Sequence, residues 1–274
     1  MSAVARLGVL GWPVAHSRSP AMHTAALAQL GLGGWSYQRL PVPPELFDET
    51  VRGLPGAGFV GANVTIPHKE AALALADDAT PAARTIGAAN TLSFSPDGAI
   101  EADNTDAPGL LAAIGEDVAG MDATVLGAGG SARAAVFALR EAGARVAIWN
   151  RSAARARQVA EELGATVVAA PQAGALLVNC TSVGLHDPAR TFKDLPLDAD
   201  GLDRWSMVVD LVYRPSGTAL LDAAARRGCR TVDGLEVLVR QGALSLTRWT
   251  GREAPLAAMR TAARGPDTQP RDDA

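Results

Sequence analysis

Short apolar runs suited to strands alternate with longer stretches whose apolar residues recur at helical spacing. In the first hundred residues, "ARLGVLG" (5–11) predicts a strand and "PAMHTAALAQLG" (20–31) a helix closed by Gly31. "WSYQRLPV" (35–42) alternates, and "GFVGANVTI" (58–66) is an apolar run. "ANTLSFS" (89–95) and "AIEADNT" (99–105) flank "PDG", a turn signal. The second half is more regular. "DATVLGAG" (122–129), "ARVAIWN" (144–150), "ATVVAA" (165–170), "ALLVNCT" (175–181) and "SMVVDLV" (206–212) predict strands. "SARAAVFALREAG" (131–143) and "SAARARQVAEELG" (152–164) predict the helices between the first three. Such alternation makes a parallel sheet with right-handed crossovers. The domain change is expected near residue 107. The last two helices, "DGLEVLVRQGALSLTRWTG" and "REAPLAAMRTAAR", are expected to pack back on the first domain.

The 274 residues suffice for one large domain or two ordinary ones, and 48% apolar residues allow a sizeable core. A net charge of −4 argues against nucleic acid as the main partner. Cys180 and Cys229 lie far apart without a CxxC spacing, which excludes a disulfide framework or zinc ribbon and fits a reducing cytoplasm. The N-terminus lacks the apolar core of a signal peptide, and no run approaches membrane-spanning length. His23, His68 and His186 have no metal-ligand spacing, so no metal is expected. The polar end of the chain, 265–274, is expected to be a flexible tail.

"VLGAGGSARA" follows a predicted strand and opens a predicted helix, the context that gives a glycine motif its meaning. Gly127 allows the tight turn, Gly129 leaves room for a pyrophosphate, and Ala132 lets helix and strand approach. The helix N-terminus offers free N–H groups and the positive end of its dipole. An ordinary glycine-rich turn is the plainer reading. The flanking elements favour a dinucleotide. An NAD site wants an acid at the end of the second strand. Here that strand ends in Asn150, Arg151 and Ser152, with Arg155 one helical turn beyond and no acid before Glu161. Arginine there suits a 2′-phosphate, so NADP is expected rather than NAD. The competing reading is a solvated arginine face.

The chain has two lysines, Lys69 and Lys193, against 23 arginines. Lys69 stands in "GANVTIPHKE", where arginine would serve equally for a surface charge. Lysine offers a compact ammonium whose pKa can be moved, which suits proton transfer. A solvated lysine in a first helical turn is the alternative. "HSRSP" sets Ser17 and Ser19 two apart, on one side of an extended segment, able to donate together to one carboxylate. Ser19 alone reads as a helix N-cap before Pro20. Asn63 and Thr65 are again two apart, "GAANTL" offers Asn90, and "DNTDA" puts Asp106 at a helix start. His16 is expected to shape its loop.

These stretches carry a resemblance. "GWPVAHSRSP", "NVTIPHK", "GAANTL", "DNTDA", "GAGGSARA", "NRS", "NCTSVGL", "DLVYRP" and "VRQGA" occur in the order found in the shikimate dehydrogenase family, and the similarity runs from about residue 7 to 260. The resemblance implies an α/β fold with two domains and the active site in the cleft between them. A substrate-binding, catalytic domain over 1–106 would be completed by helices within 235–264, and a Rossmann-type NADP-binding domain would occupy 107–234. It implies NADPH-dependent, reversible reduction of 3-dehydroshikimate to shikimate in aromatic amino-acid (chorismate) biosynthesis, in a cytoplasmic monomer or homodimer. Ser17 and Ser19 would hold the substrate carboxylate. Asn63, Thr65, Asn90, Asp106 and Gln241 would bind ring hydroxyls, Tyr213 would line the cleft, and Lys69 with Asp106 would be the catalytic pair. On the cofactor side stand Gly127, Ala128, Gly129, Gly130 and Ser131 at the pyrophosphate, and Asn150, Arg151 and Arg155 at the adenosine phosphate. Thr181 and Gly234 would lie along the cofactor. The sequence departs from the family pattern at Ala107, where glycine commonly follows the aspartate, and at Glu236 and Val237, which bear on the cofactor pocket. Relatives that accept quinate often carry threonine at the position of Ser19. An NAD-preferring quinate/shikimate dehydrogenase, a non-catalytic NADP sensor and a dehydrogenase for another substrate, such as a folate, are the competing readings.

Overall fold

A computed structural model describes residues 4–214 and 216–265, so the predicted tail beyond Gly265 lies outside the described residues. The chain divides into two compact units, Met1–Thr105 with Leu238–Ala274, and Asp106–Val237.

The first unit begins with β1 (Ala5–Gly11), α1 (Ser19–Gln29), β2 (Trp35–Pro41), α2 (Phe47–Gly53), β3 (Phe59–Val64) and α3 (Lys69–Leu75). It continues through β4 (Asp78–Ala79), α4 (Pro81–Ile86), β5 (Thr91–Phe94) and β6 (Ile100–Asp103). These strands form a six-stranded sheet in the order β2-β1-β3-β5-β6-β4. β1 lies parallel to both β2 and β3, and its burial on both faces fits a central position between covering helices. β5 is antiparallel to β3 and to β6, as the "PDG" turn requires of the last two. Leu10, Phe47, Val64, Leu92 and Ile100 are among the core residues.

The second unit runs α5 (Asp106–Ile114), β7 (Asp122–Leu126), α6 (Gly130–Glu141), β8 (Arg145–Trp149), α7 (Ala153–Leu163), β9 (Thr166–Val167) and β10 (Gly174–Asn179). There follow α8 (Thr191–Asp194), β11 (Trp205–Asp210), α9 (Ala219–Arg226), β12 (Arg230–Asp233) and the start of α10 (Gly234–Thr250). Its sheet order is β12-β11-β10-β7-β8-β9, parallel at every pairing. This is the strand order of a dinucleotide-binding fold, and the chain reverses direction across the sheet between β7 and β10, where such folds bind ligands. Helix α11 (Leu256–Arg264), in the first unit, is the last element among the described residues.

The predicted strand at 165–170 shrinks to Thr166–Val167. It sits at the sheet edge with β8 as its one neighbour, and Pro171 soon removes a ladder donor. Helices α2, α4, α8 and α9 and strands β4 and β12 add to the predicted set; most are too short to show a period.

His23 on α1 is fully buried and stacks on Tyr37 of β2, with ring centroids 4.2 Å apart and planes within 1°. Neither ring nitrogen has a hydrogen-bond partner among the described residues. Burial pushes its pKa down from 6.5 to about 3, with the Asn63 side chain opposing the shift. A base with a depressed folded pKa stays neutral in the native state while the unfolded chain takes up a proton below 6.5. Stability is therefore lost as pH falls through 6.5, by about 2 kcal/mol at pH 5. Urea unfolding at pH 7.5 and 5 should show a drop larger by about that amount in the wild type than in His23→Phe. Equal drops in the two proteins would assign the acid sensitivity elsewhere.

Candidate active site

The "HSRSP" segment is a turn and not an extended stretch. Arg18 is in the right-handed helical region at φ −89° and ψ −4° and occupies the N-cap of α1, so Ser19 is the first helical residue and not the cap. Ser17 and Ser19 are nonetheless together: the Ser19 N–H donates to Ser17 Oγ at 3.3 Å, and both residues are buried. Two arginines fix the turn. Arg39 Nη2 donates to the Ser17 carbonyl at 3.0 Å. Arg18 reaches the end of α11, donating to the carbonyls of Ala263 at 3.0 Å, Ala262 at 3.1 Å and also Gly265. Orphan carbonyls at a helix C-terminus are natural partners for a guanidinium.

Lys69 opens α3 and is only 9% exposed, which removes the reading of a solvated surface lysine. Its carbonyl accepts from Ala89 N at 2.8 Å, which places it one residue from Asn90. Thr65, half-buried, ends the run from β3 and donates its N–H to Leu10 O at 2.8 Å.

Asn90 is the hub of a buried polar cluster. Its Oδ1 accepts from Thr105 N at 2.7 Å, and its Nδ2 donates to Thr105 Oγ1 and to Gln241 Oε1 of α10, each at 3.0 Å. Gln241 Nε2 is held by Leu238 O at 2.7 Å. Asn63 accepts from Tyr37 Oη at 2.7 Å, and its amide donates to Ser245 Oγ at 3.1 Å and lies near Asn90 O and Thr91 Oγ1. The Asn63 side chain is thus engaged within the protein through both its oxygen and its amide. Tyr37, Thr91, Thr105 and Ser245 are not among the residues the sequence singles out. Only Thr91 and Thr105, inside "GAANTL" and "DNTDA", lie within reach of a motif.

In the second unit, Asp106 is the first residue of α5 and half-buried, and its chain neighbour Thr105 is the one anchored on Asn90. Tyr213 is half-buried in the segment after β11. The glycine turn follows β7. Gly127 has φ +113°, a conformation that L side chains rarely adopt, and its N–H donates to Trp149 O at 2.8 Å. Ala128 is buried, while Gly129 is the exposed N-cap of α6 with no atom near the place of a Cβ. Gly130 and Ser131 form the first turn of α6, with Ala132 buried beneath. Thr181 lies against this turn: a Cβ on Gly127 would stand 3.4 Å from its Cγ2. Asn150 donates to Ser152 O at 3.0 Å, and Arg151 and Arg155 are exposed around the start of α7. Gly234 opens α10, where a Cβ would fall 2.4 Å from Leu211 O, so no other residue fits without backbone movement.

The second unit therefore presents an open glycine at a 12-residue helix N-terminus beside exposed arginines, a donor set fitted to a phosphorylated dinucleotide. Among the described residues no cluster of His, Cys, Asp and Glu could hold a metal ion, and no helix is long and apolar enough to cross a membrane.

Three family models match the chain: the shikimate dehydrogenase substrate binding domain over residues 9–92, shikimate/quinate 5-dehydrogenase over 110–180, and the shikimate 5′-dehydrogenase C-terminal domain over 234–264. A shikimate dehydrogenase (NADP(+)) of Methylobacterium radiotolerans is 50% identical over 267 residues, covering 91% of this chain and 92% of the relative. The enzyme of the same name from Thermus thermophilus is 47% identical over 264 residues, covering 94% and 97%. A crystal structure of shikimate 5-dehydrogenase from Thermus thermophilus in complex with NADP(H) and shikimate is 44% identical, covers 95% of this chain and 99% of its own, and superposes with a TM-score of 0.86. With matches of this identity along nearly its whole length, the chain belongs to the shikimate dehydrogenase family.

Proposed function

We propose that the protein catalyses the NADPH-dependent, reversible reduction of 3-dehydroshikimate to shikimate. The observation that carries this reading is the burial of Lys69 next to the Asn90 cluster. The chain has two lysines, and this one is buried rather than placed as a surface charge, as a proton donor would be.

Ser17 and Ser19 bind the substrate carboxylate from their pinned turn. Gln241, Thr65 and Asn63 bind ring hydroxyls, Asn90 joins them by exchanging one of its internal hydrogen bonds for a substrate hydroxyl, and Tyr213 contacts the ring. Bound NADPH supplies hydride to the C3 carbonyl. Lys69 polarises the C3 oxygen and gives or relays its proton, and Asp106 keeps the reacting hydroxyl oriented. An arginine in place of Lys69 is too basic to release a proton. The turn from Gly127 to Ser131 holds the pyrophosphate with Thr181 and Gly234 alongside, and Asn150, Arg151 and Arg155 hold the 2′-phosphate.

Lys69→Ala should cut kcat by about 10² to 10⁴, the usual worth of a general acid–base group, with far less change in the KM for shikimate. Retention of most of kcat would make Lys69 a binding or structural residue. Each charge-assisted contact to the 2′-phosphate is worth on the order of 1.5–3 kcal/mol. Arg151→Ala should therefore raise the KM for NADP at least about tenfold and leave that for NAD nearly unchanged. Equal effects on both dinucleotides would reject the placement of Arg151. Ser19→Ala should weaken shikimate mainly through KM, because the carboxylate lies away from C3; a loss confined to kcat would contradict carboxylate binding by Ser19.

A further inference from the structure

Two loops leave the carboxyl ends of β10 and β11, the first of them at the reversal point of the parallel sheet. One buried carboxylate fastens both. Asp210, the last residue of β11, is 2% exposed. Its Oδ1 accepts from Asn179 Nδ2 at 2.9 Å and from Val212 N at 3.1 Å, and its Oδ2 accepts from Thr218 Oγ1 at 2.8 Å. Asn179, the last residue of β10, is fully buried. Its Oδ1 accepts from Thr181 N at 3.1 Å and Thr181 Oγ1 at 2.8 Å, and Thr181 Oγ1 accepts from Val183 N at 3.2 Å. The two loops are tied again by Leu211 N on Asn179 O at 2.9 Å and by Arg214 on the carbonyls of Gly184 and Leu185.

The direction of this chain follows from the carboxylate. Burial pushes the Asp210 pKa up to about 6, against the hydrogen bonds it accepts from Thr218, Val212 and Asn179, so above that pH it is ionised and can only accept, and Asn179 must turn its NH2 toward it and its carbonyl oxygen toward Thr181. Both the N–H and the O–H of Thr181 are then committed as donors to Asn179. With Val183 N already on it, Thr181 Oγ1 has one lone pair left to accept with, on a side chain whose Cγ2 methyl lies 3.4 Å from the place of a Cβ on Gly127 of the glycine turn. A ribose hydroxyl or a carboxamide N–H of a dinucleotide can donate to such an oxygen, whereas a phosphate oxygen cannot.

We infer that Asp210 and Asn179 are positioning residues for the cofactor, holding Thr181 beside the glycine turn as a hydrogen-bond acceptor for a donor group of the dinucleotide. This rests on the dinucleotide site proposed above. Asp210 itself touches no ligand. Its effect passes through Asn179, which is why its removal and that of the threonine hydroxyl must not be independent.

The test is a double-mutant cycle read by calorimetric titration of NADP+ into the substrate-free enzyme, with folding of each variant checked by thermal melting. Thr181→Val and Asp210→Ala should each weaken NADP+ binding about tenfold, as for one lost hydrogen bond of average strength. The double variant should bind no more than about tenfold weaker than wild type, because the second change removes nothing that remains. Asp210→Asn keeps an acceptor toward Asn179 and should stay within about threefold of wild type. If Asp210→Ala does not fold, Asn179→Leu cuts the same chain and must show the same coupling with Thr181→Val. Losses that multiply to about a hundredfold, or unchanged binding in Asp210→Ala, would overturn the inference. If Thr181→Val binds normally while Arg151→Ala binds weakly, the dinucleotide site stands and this inference falls. If neither is weakened, the dinucleotide site falls with it.

Discussion

The buried carboxamide of Asn90 is the constraint on which the catalytic half of the molecule depends. With its oxygen and nitrogen both enclosed, it must find partners or forfeit about 1–3 kcal/mol for each group left unpaired. It finds them in Thr105 and Gln241, which lie 15 and 151 residues away in the chain. Satisfying one amide thus brings together the start of β5, the segment leading to Asp106 and the middle of α10. Asp210 plays a similar part at the ends of β10 and β11, where its oxygens fix one loop directly and another through Asn179. Strand ends locked in this way are stiff platforms, and the proposed chemistry needs such stiffness because proton and hydride transfer tolerate little misplacement.

The proposed proton transfer would account for a buried lysine in a chain that otherwise uses arginine almost throughout. Everywhere else but Lys193 the basic positions are arginine, whose planar fork serves ion pairs and carbonyl clusters, as Arg18 does at the end of α11. A group that must release and recover a proton cannot be arginine.

Much of the fold is legible in the sequence because its strands are short apolar runs and its longer helices keep their period. β1 and β8 and helices α6 and α7 lie within a residue or two of the predicted bounds, while β7 starts as predicted and ends three residues early, where the glycine turn begins. β9 is shorter than its apolar run because an edge strand pairs on one side only, which no apolar count reveals. The turn at Ser17–Ser19 looks extended in the sequence because its shape is set by Arg18 gripping carbonyls some 245 residues later, information absent from the local stretch. Candidate residues inside motifs are visible in the sequence. Tyr37 and Ser245 lie outside the motifs, and Asn179 and Asp210 open two of them without showing a role, since a lone tyrosine or aspartate shows one only when its partner across the fold is known. His23, stacked on Tyr37, is of the same kind.

The central claim is that this chain handles shikimate with NADP, not quinate with NAD. Quinate carries an extra hydroxyl on a tetrahedral carbon where shikimate is planar, and crowding or stranding that hydroxyl costs roughly 1–3 kcal/mol. The direct measurement is the initial rate of nicotinamide reduction by the purified protein with each acid in turn, and with NADP+ or NAD+ as the acceptor. The account predicts the highest kcat/KM for shikimate with NADP+, at least about tenfold above quinate with NADP+. Comparable values for the two acids, or a preference for NAD+, would contradict it and favour a quinate/shikimate dehydrogenase.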